Sequence, residues 1–299
     1  MSSSWDAFPR NLEPTAERMG PFPKRPFLEA VWRHRSDPNA NLHVETSPAG
    51  AVAVTTSNGL VSFAGQPNLT DYHAPVGPDG AETLVTVLQR FSNMPFGLDS
   101  LPAEAAQPIV EALALAGVEA SLREHESAAV LTLPSTYEDW LGSLAKKERH
   151  EVRRKHRRFE AEFGAIEIER HGGDAIDRFC AMHRLSPGEK GSFMTDAMKS
   201  FFAELVSTAG ACIHLLLCDG VARAAAFGFE TDDAYFYYNS AYDPAAALAS
   251  PGIVLLSTMI EAEIERGAAV LDFLKGDEPY KIRLGAEPRS LYVIEGRTP

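Results

Sequence analysis

YFYYNSAYDPAAALASPGIVLLSTMIEAEIERGAAVLDFLKGDEPYKIRLG, running from Tyr235 to Gly285, decides the fold of this chain. It divides into an aromatic strand, a loop, a helix with clear ends, a second strand and a polar loop. Ser250 stands where an N-cap belongs, Pro251 at a first-turn position where its missing N–H costs nothing, and Gly267 where a left-handed stop belongs. Ile253, Leu256, Ile260 and Ile264 recur at helical spacing and predict one face pressed onto a sheet. Pro251 and Gly252 leave the first turn bare, so backbone N–H groups there are open to an anion, with the positive end of the helix dipole behind them. An ordinary capped helix reads equally from the same residues.

Working outward, ACIHLLLC and VARAAAFGF read as strands joined by an Asp219-Gly220 turn, and AYFYYNSA follows the polar Thr231-Asp232-Asp233. Before this meander, residues 174–185 and 195–208 carry helical periodicity behind a short strand, AIEIER. The order strand, helix, helix, three strands, helix, strand is that of the GNAT acetyltransferase fold. At residue level, SAYDP, SPG and GAAVLDFLKGDEPYK, with TDYHAP and WLGSLAKKERHEVRRKHRRF upstream, resemble the BioF2-like, CelD-like branch of the FemAB-related N-acyltransferases. That resemblance implies an α/β chain with mixed sheets, built as two tandem GNAT-like domains of which the N-terminal one is degenerate. The expected boundaries are 1–135 for the first domain with its proline-rich leader, 136–163 for a basic linking helix, and 164–299 for the domain carrying the donor site.

The N-terminal part shows the same order of elements. A helix begins near Phe27–Trp32, LHVET is a strand, and AVAVTTSNGLVSFAG is a hairpin turning at Asn58-Gly59. A helix near Ala81–Phe91 and a strand around Phe96–Leu98 follow, then a helix over Ala103–Ala116 and a closing hairpin in VEASLREHESAAVLTLP. No equivalent of Ser-Pro-Gly opens the first of these later helices; Gly77-Pro78-Asp79-Gly80 reads as a plain turn.

Composition narrows the function. A chain of 299 residues, 45% hydrophobic, buries a substantial core, and its net charge of −13 disfavours general nucleic-acid binding. There is no basic-then-apolar leader and no apolar run of membrane length, so the expected location is cytoplasmic. Cys180, Cys212 and Cys218 are scattered and odd in number, against a disulfide framework and against a zinc cluster; Cys180 and His183 share a helix face but lack a third ligand. No metal is expected. From Lys146 to Arg158, eight Lys or Arg face two Glu, a formal +6. One reading is a solvated helix face; the other is a surface for a polyanion such as coenzyme A phosphates, tRNA, an anionic lipid or a glycan.

The resemblance supplies the chemistry: an acyl group passes from acyl-CoA, used as donor substrate with no covalently bound cofactor, to the amine of a small molecule or cell-envelope precursor. Donor contacts are then expected at Asn239, Ser240, Ser250, Pro251, Gly252, Ile253 and Gly276. Backbone N–H groups near Asn239–Ser240 polarise the thioester carbonyl where strands part. Tyr280 protonates the departing thiolate, or packs with its hydroxyl tied to a neighbour. Asp272 is a general base or an equally plausible structural carboxylate, and Lys281 completes the catalytic set. Acceptor contacts fall to Asp71, Tyr72, His183, Arg184, Lys190, Tyr242 and Asp243. The stretch Leu248-Ala249-Ser250-Pro251-Gly252 keeps one glycine and no basic residue, a departure from the GNAT donor loop that weakens the case for pyrophosphate binding. Two alternatives therefore stand beside an enzyme for groups other than aminoacyl: an aminoacyl-tRNA-dependent Fem-like transferase, and a non-catalytic module binding an anionic glycan or lipid.

Overall fold

The structure, a computed structural model, describes residues 4–299. The chain forms two compact units, Met1–Ala128 with Arg289–Pro299, and Ala129–Pro288. The basic helix is packed inside the second unit and the last strand pairs inside the first.

In the first unit, α1 (Arg25–Arg35) precedes β1 (Asn41–Ser47), β2 (Gly50–Ser57) and β3 (Leu60–Phe63). The β2–β3 turn is the expected Asn58-Gly59, with φ of 50° and 75°, the mirror-image turn geometry that matches strand twist. Then come α2 (Gly80–Leu88), β4 (Pro95–Pro102), α3 (Ala103–Leu115) and β5 (Ala120–Thr132). The expected closing hairpin is instead this one long strand, because no Gly, Pro or Asn interrupts SLREHESAAVLT to turn it. β1, β2 and β3 pair antiparallel, and β4 joins β3 in parallel after the α2 crossover.

In the second unit, the stretch expected to form one basic helix is broken at Leu144 into α4 (Tyr137–Ser143) and α5 (Lys146–Phe163). Then follow β6 (Ile166–His171), α6 (Ile176–Arg184), a short α7 (Glu189–Phe193) and α8 (Asp196–Thr208). The meander is β7 (Ala211–Cys218), β8 (Val221–Glu230) and β9 (Ala234–Tyr242), followed by α9 (Pro251–Arg266), β10 (Val270–Lys275) and α10 (Pro279–Arg283). β11 (Glu287–Arg297) returns to the first unit and pairs antiparallel with β4.

β6 to β9 are antiparallel neighbours in sequence order, and β10 lies parallel to β9. One face of this sheet carries Cys212, Ala224, Ala226, Tyr235, Tyr237, Leu271 and Phe273, sealed by Trp140, Leu141, Val152, Phe159 and the buried side of α9. That side is wider than the expected stripe. Val254, Leu255 and Met259 join Leu256, Ile260 and Ile264, while Ile253 is only partly buried. The Trp140 indole N–H donates to the Leu284 carbonyl at 3.0 Å, so the ring is anchored as well as buried.

Candidate functional site

Two backbone features part β10 from β9 in the second unit. β10 matches β9 over only Val270–Asp272 against Ala234–Phe236, so β9 amides beyond Phe236 on that edge have no ladder partner from β10. Leu274, with φ of 62°, then turns β10 away. On the other side of β9 the register with β8 slips between the Phe227–Asn239 and Gly228–Tyr237 pairs. Tyr238 is the extra residue of this bulge, which bends β9 at the point where β10 leaves it.

α9 follows β9 through Pro244–Ala249 and packs against β8 and β9. Ser250 occupies the N-cap position, but in the left-handed region (φ 64°, ψ 51°) and without a side-chain capping bond. Its carbonyl accepts from Ile253 N at 3.1 Å and Val254 N at 3.3 Å, so the Ile253 amide expected at the anion site is already engaged. Gly252 is the open position, since a Cβ built there meets nothing within 4 Å.

Two phenols stand beside the parting strands. Tyr280 and Tyr237 flank the Phe273 ring at centroid distances of 6.3 and 6.1 Å. Tyr237 shares a hydrogen bond with Ser240, and burial pushes its phenol up to about 12. Burial, then the neighbouring Tyr237, raise the Tyr280 phenol as well. Both stay protonated at neutral pH. In the sequence Tyr237 stands between Phe236 and Tyr238 in one aromatic run, a pattern that carries no sign of a polar role.

Across β9, the fully buried His183 bonds the Asn239 side chain, and desolvation followed by the nearby Lys190 charge lowers its pKa. Its Nδ1 has no partner. The Lys190 ammonium lies 5.7 Å from the centre of the Tyr242 ring. His183, Asn239, Lys190 and Tyr242 thus form one group.

Other expected site residues are committed to the fold. Lys281 is 2% exposed, and its Nζ donates to the carbonyls of Leu274, Lys275 and Gly276 at 3.3, 2.7 and 3.3 Å while pairing with Glu278 at 2.9 Å. These contacts pin the loop holding Gly276. Tyr280 and Lys281 lie on α10, where a loop was expected. Asp272 is fully buried and accepts from Leu274 N at 2.7 Å, which holds the left-handed turn in place. Arg184 ties Met194 O and Asp196, at 2.7 and 2.6 Å, and Asp243 caps Ala245 N while pairing with Arg223 at 2.8 Å. In the first unit Tyr72 is fully buried with the Arg289 guanidinium 5.0 Å over its ring, and Asp71 beside it is partly buried.

A cavity of about 290 Å³ opens between α4, α5 and α9, lined by Tyr137, Leu141, Val152, Arg153, His156, Arg157 and Glu261. The basic helix is partly self-neutralised: Arg153 pairs with Glu138, Arg154 with Glu151, and Arg158 with Glu162.

The fold so described is a mixed α/β arrangement of the GNAT type. Residues 146–282 match the family model described as an acetyltransferase (GNAT) domain. Among solved structures, the chain resembles a conserved protein of unknown function from Bacteroides thetaiotaomicron VPI-5482, with TM-score 0.64 at 12% identity, over 96% of this chain and 94% of that one. It also resembles FemX, with TM-score 0.63 at 12% identity, over 98% and 96%. A third likeness is to the C-terminal domain of a putative lysylphosphatidylglycerol synthetase from Agrobacterium fabrum, with TM-score 0.59 at 11% identity, over 90% and 91%. No curated protein matches the sequence.

Proposed function

We propose that this chain is an N-acyltransferase of the GNAT type, moving an acyl group from acyl-CoA to the amine of a small molecule or cell-envelope precursor. One observation carries the reading: the pairing of β9 with β10 stops after three residues, and the helix that follows β9 has a start at which Gly252 has nothing within 4 Å of its Cβ position. A strand edge stripped of its partner and an open helix N-terminus together suit a carbonyl next to an anion.

In this mechanism an edge amide of β9 donates to the thioester oxygen, and the positive end of α9 faces a donor phosphate. The amine nitrogen forms a bond to the carbonyl carbon and the C–S bond breaks. Tyr280, kept protonated by its surroundings and packed against the Phe273 ring, gives its proton to the departing thiolate. The amine's proton passes to His183, neutral at pH 7 and with a free Nδ1, in preference to Asp272, whose Oδ1 is occupied by the Leu274 amide. Lys190 and Tyr242 line the acceptor side.

Thiol release from acetyl-CoA, measured against a panel of amines, tests the reading. Turnover with at least one amine supports it; binding of acyl-CoA without turnover for any amine points to the non-catalytic module. The likeness to FemX and to the lysylphosphatidylglycerol synthetase domain, together with the +6 stretch, favours one second reading, an aminoacyl-tRNA donor. Aminoacyl transfer from charged tRNA, with no thiol release from acyl-CoA, selects it.

A further inference from the structure

Away from the parting strands, at the far end of α9, the sheet face under that helix gathers a second set of reactive side chains. Cys212 and His214 are two residues apart on β7 and so share a face, and Gly228, Glu230 and Tyr235 of the neighbouring strands point the same way. One donor atom each from Cys212, His214 and Glu230 lies within 4.8 Å of the others. Cys212 is 1% and His214 5% exposed. His214 Nε2 stands 3.4 Å from Glu230 Oε1, beyond a good hydrogen bond but close to the edge of a tetrahedron with metal bonds of about 2.0–2.1 Å.

Two buried polar atoms beside this trio have no partner, His214 Nδ1 and the Tyr235 hydroxyl. Tyr235 is fully buried, and its hydroxyl oxygen lies 2.3 Å from where a Cβ on Gly228 would be. Gly228 is the register partner of Cys212, which aims the phenol at the thiol's side of the site. Glycine is the residue that leaves room for it. Two arginines supply compensating charge nearby: Arg170 Nε donates to Glu230 Oε2 at 2.7 Å, leaving Oε1 for the trio, and Arg266 holds the buried Glu263 at 2.7 Å.

We infer that Cys212, His214 and Glu230 bind a single zinc ion, with the fourth position turned toward the Tyr235 hydroxyl. A soft thiolate, an imidazole and a carboxylate form a donor set suited to zinc, and the donor atoms need to close by only about 1 Å to reach tetrahedral spacing. Twelve residues of α9 separate Glu263 from Pro251, about 18 Å of helix, so the ion ties β7, β8 and β9 together rather than entering the transfer chemistry.

The full chain, stripped with a chelator and titrated with zinc, is expected to take up one equivalent and to unfold about 5–10 °C higher at a hundredfold excess over Kd. Cobalt in place of zinc gives a thiolate-to-metal absorption band. The band and the uptake disappear in Cys212→Ser and in His214→Gln, and remain in Cys218→Ser. Because Cys212→Ser buries a new hydroxyl, circular dichroism accompanies each variant, and the near-isosteric Glu230→Gln, at a side chain 16% exposed, provides a milder change with at least tenfold weaker uptake. No stoichiometric uptake by the folded wild-type chain overturns the inference, as does a cobalt band that survives in folded Cys212→Ser or vanishes in Cys218→Ser.

Discussion

The two helix starts, α2 in the first unit and α9 in the second, follow the same path of three antiparallel strands, a crossover helix and a parallel strand, yet only one is open. At α2 the β1–β2 turn fills the approach. Asp79 N donates to Ala49 O at 3.3 Å, and Gly77 N to Glu13 O at 2.8 Å. A Cβ on Gly77 would sit 2.1 Å from the Ala49 oxygen, and one on Gly50 2.6 Å from the Asp79 carbonyl carbon. At α9 the same test on Gly252 meets nothing. The strands differ in step: β2 and β3 pair without a slip, whereas β8 and β9 carry the Tyr238 bulge. One architecture is closed on itself for stability in the first unit and held apart in the second, and the difference lies in a turn and one extra residue.

The sharpest way to break this contrast is at the Tyr280 phenol. Tyr280→Phe should lower kcat by about 100-fold or more while leaving donor affinity within about twofold, as expected for a lost proton donor. Gly252→Asp places a carboxylate where the donor's anion belongs and should weaken acyl-CoA binding by about 10- to 30-fold with the melting temperature unchanged. The matching change in the closed copy, Gly77→Ala, should do the reverse. It forces a side chain into a left-handed position at φ 81° against the Ala49 carbonyl, and should cost about 1–3 kcal/mol of stability, read by chemical denaturation, with no direct effect on donor binding.

Acidification probes the acceptor group. His183 has a lowered folded-state pKa, so the unfolded chain binds the extra proton first; its contribution to stability is complete above about pH 6.5 and is lost as pH falls below that value. His183→Asn should flatten that part of the stability profile and also lower the rate at neutral pH. The smallest effect is expected at the basic helix. Reversing the exposed Lys147 and Arg157 to Glu should shallow the salt dependence of heparin binding while leaving small-amine acylation within about twofold.

Much of this was legible in the sequence where local chemistry acts alone. Asn58-Gly59, Asp219-Gly220, Pro251 and Gly267 fixed turns and helix ends because each residue's backbone preference decides its own position. The site was less legible because its makers are distant in sequence or act through backbone geometry. Lys281 reads as a free cation until the carbonyls of Leu274–Gly276 are seen to converge on it. The bulge at Tyr238 depends on a register slip that no single residue announces. Cys212 and His214 share the spacing of one strand face, and that signal was present; it lacked only Glu230, brought in from the next strand.

Calorimetric titration of acetyl-CoA into the full-length chain tests the central claim, that the open start of α9 receives an anionic acyl donor. The account predicts one-to-one binding, at least tenfold weaker in Gly252→Asp and unaltered in a folded His214→Gln. No binding by folded wild-type protein, or equal affinity in Gly252→Asp, would contradict it.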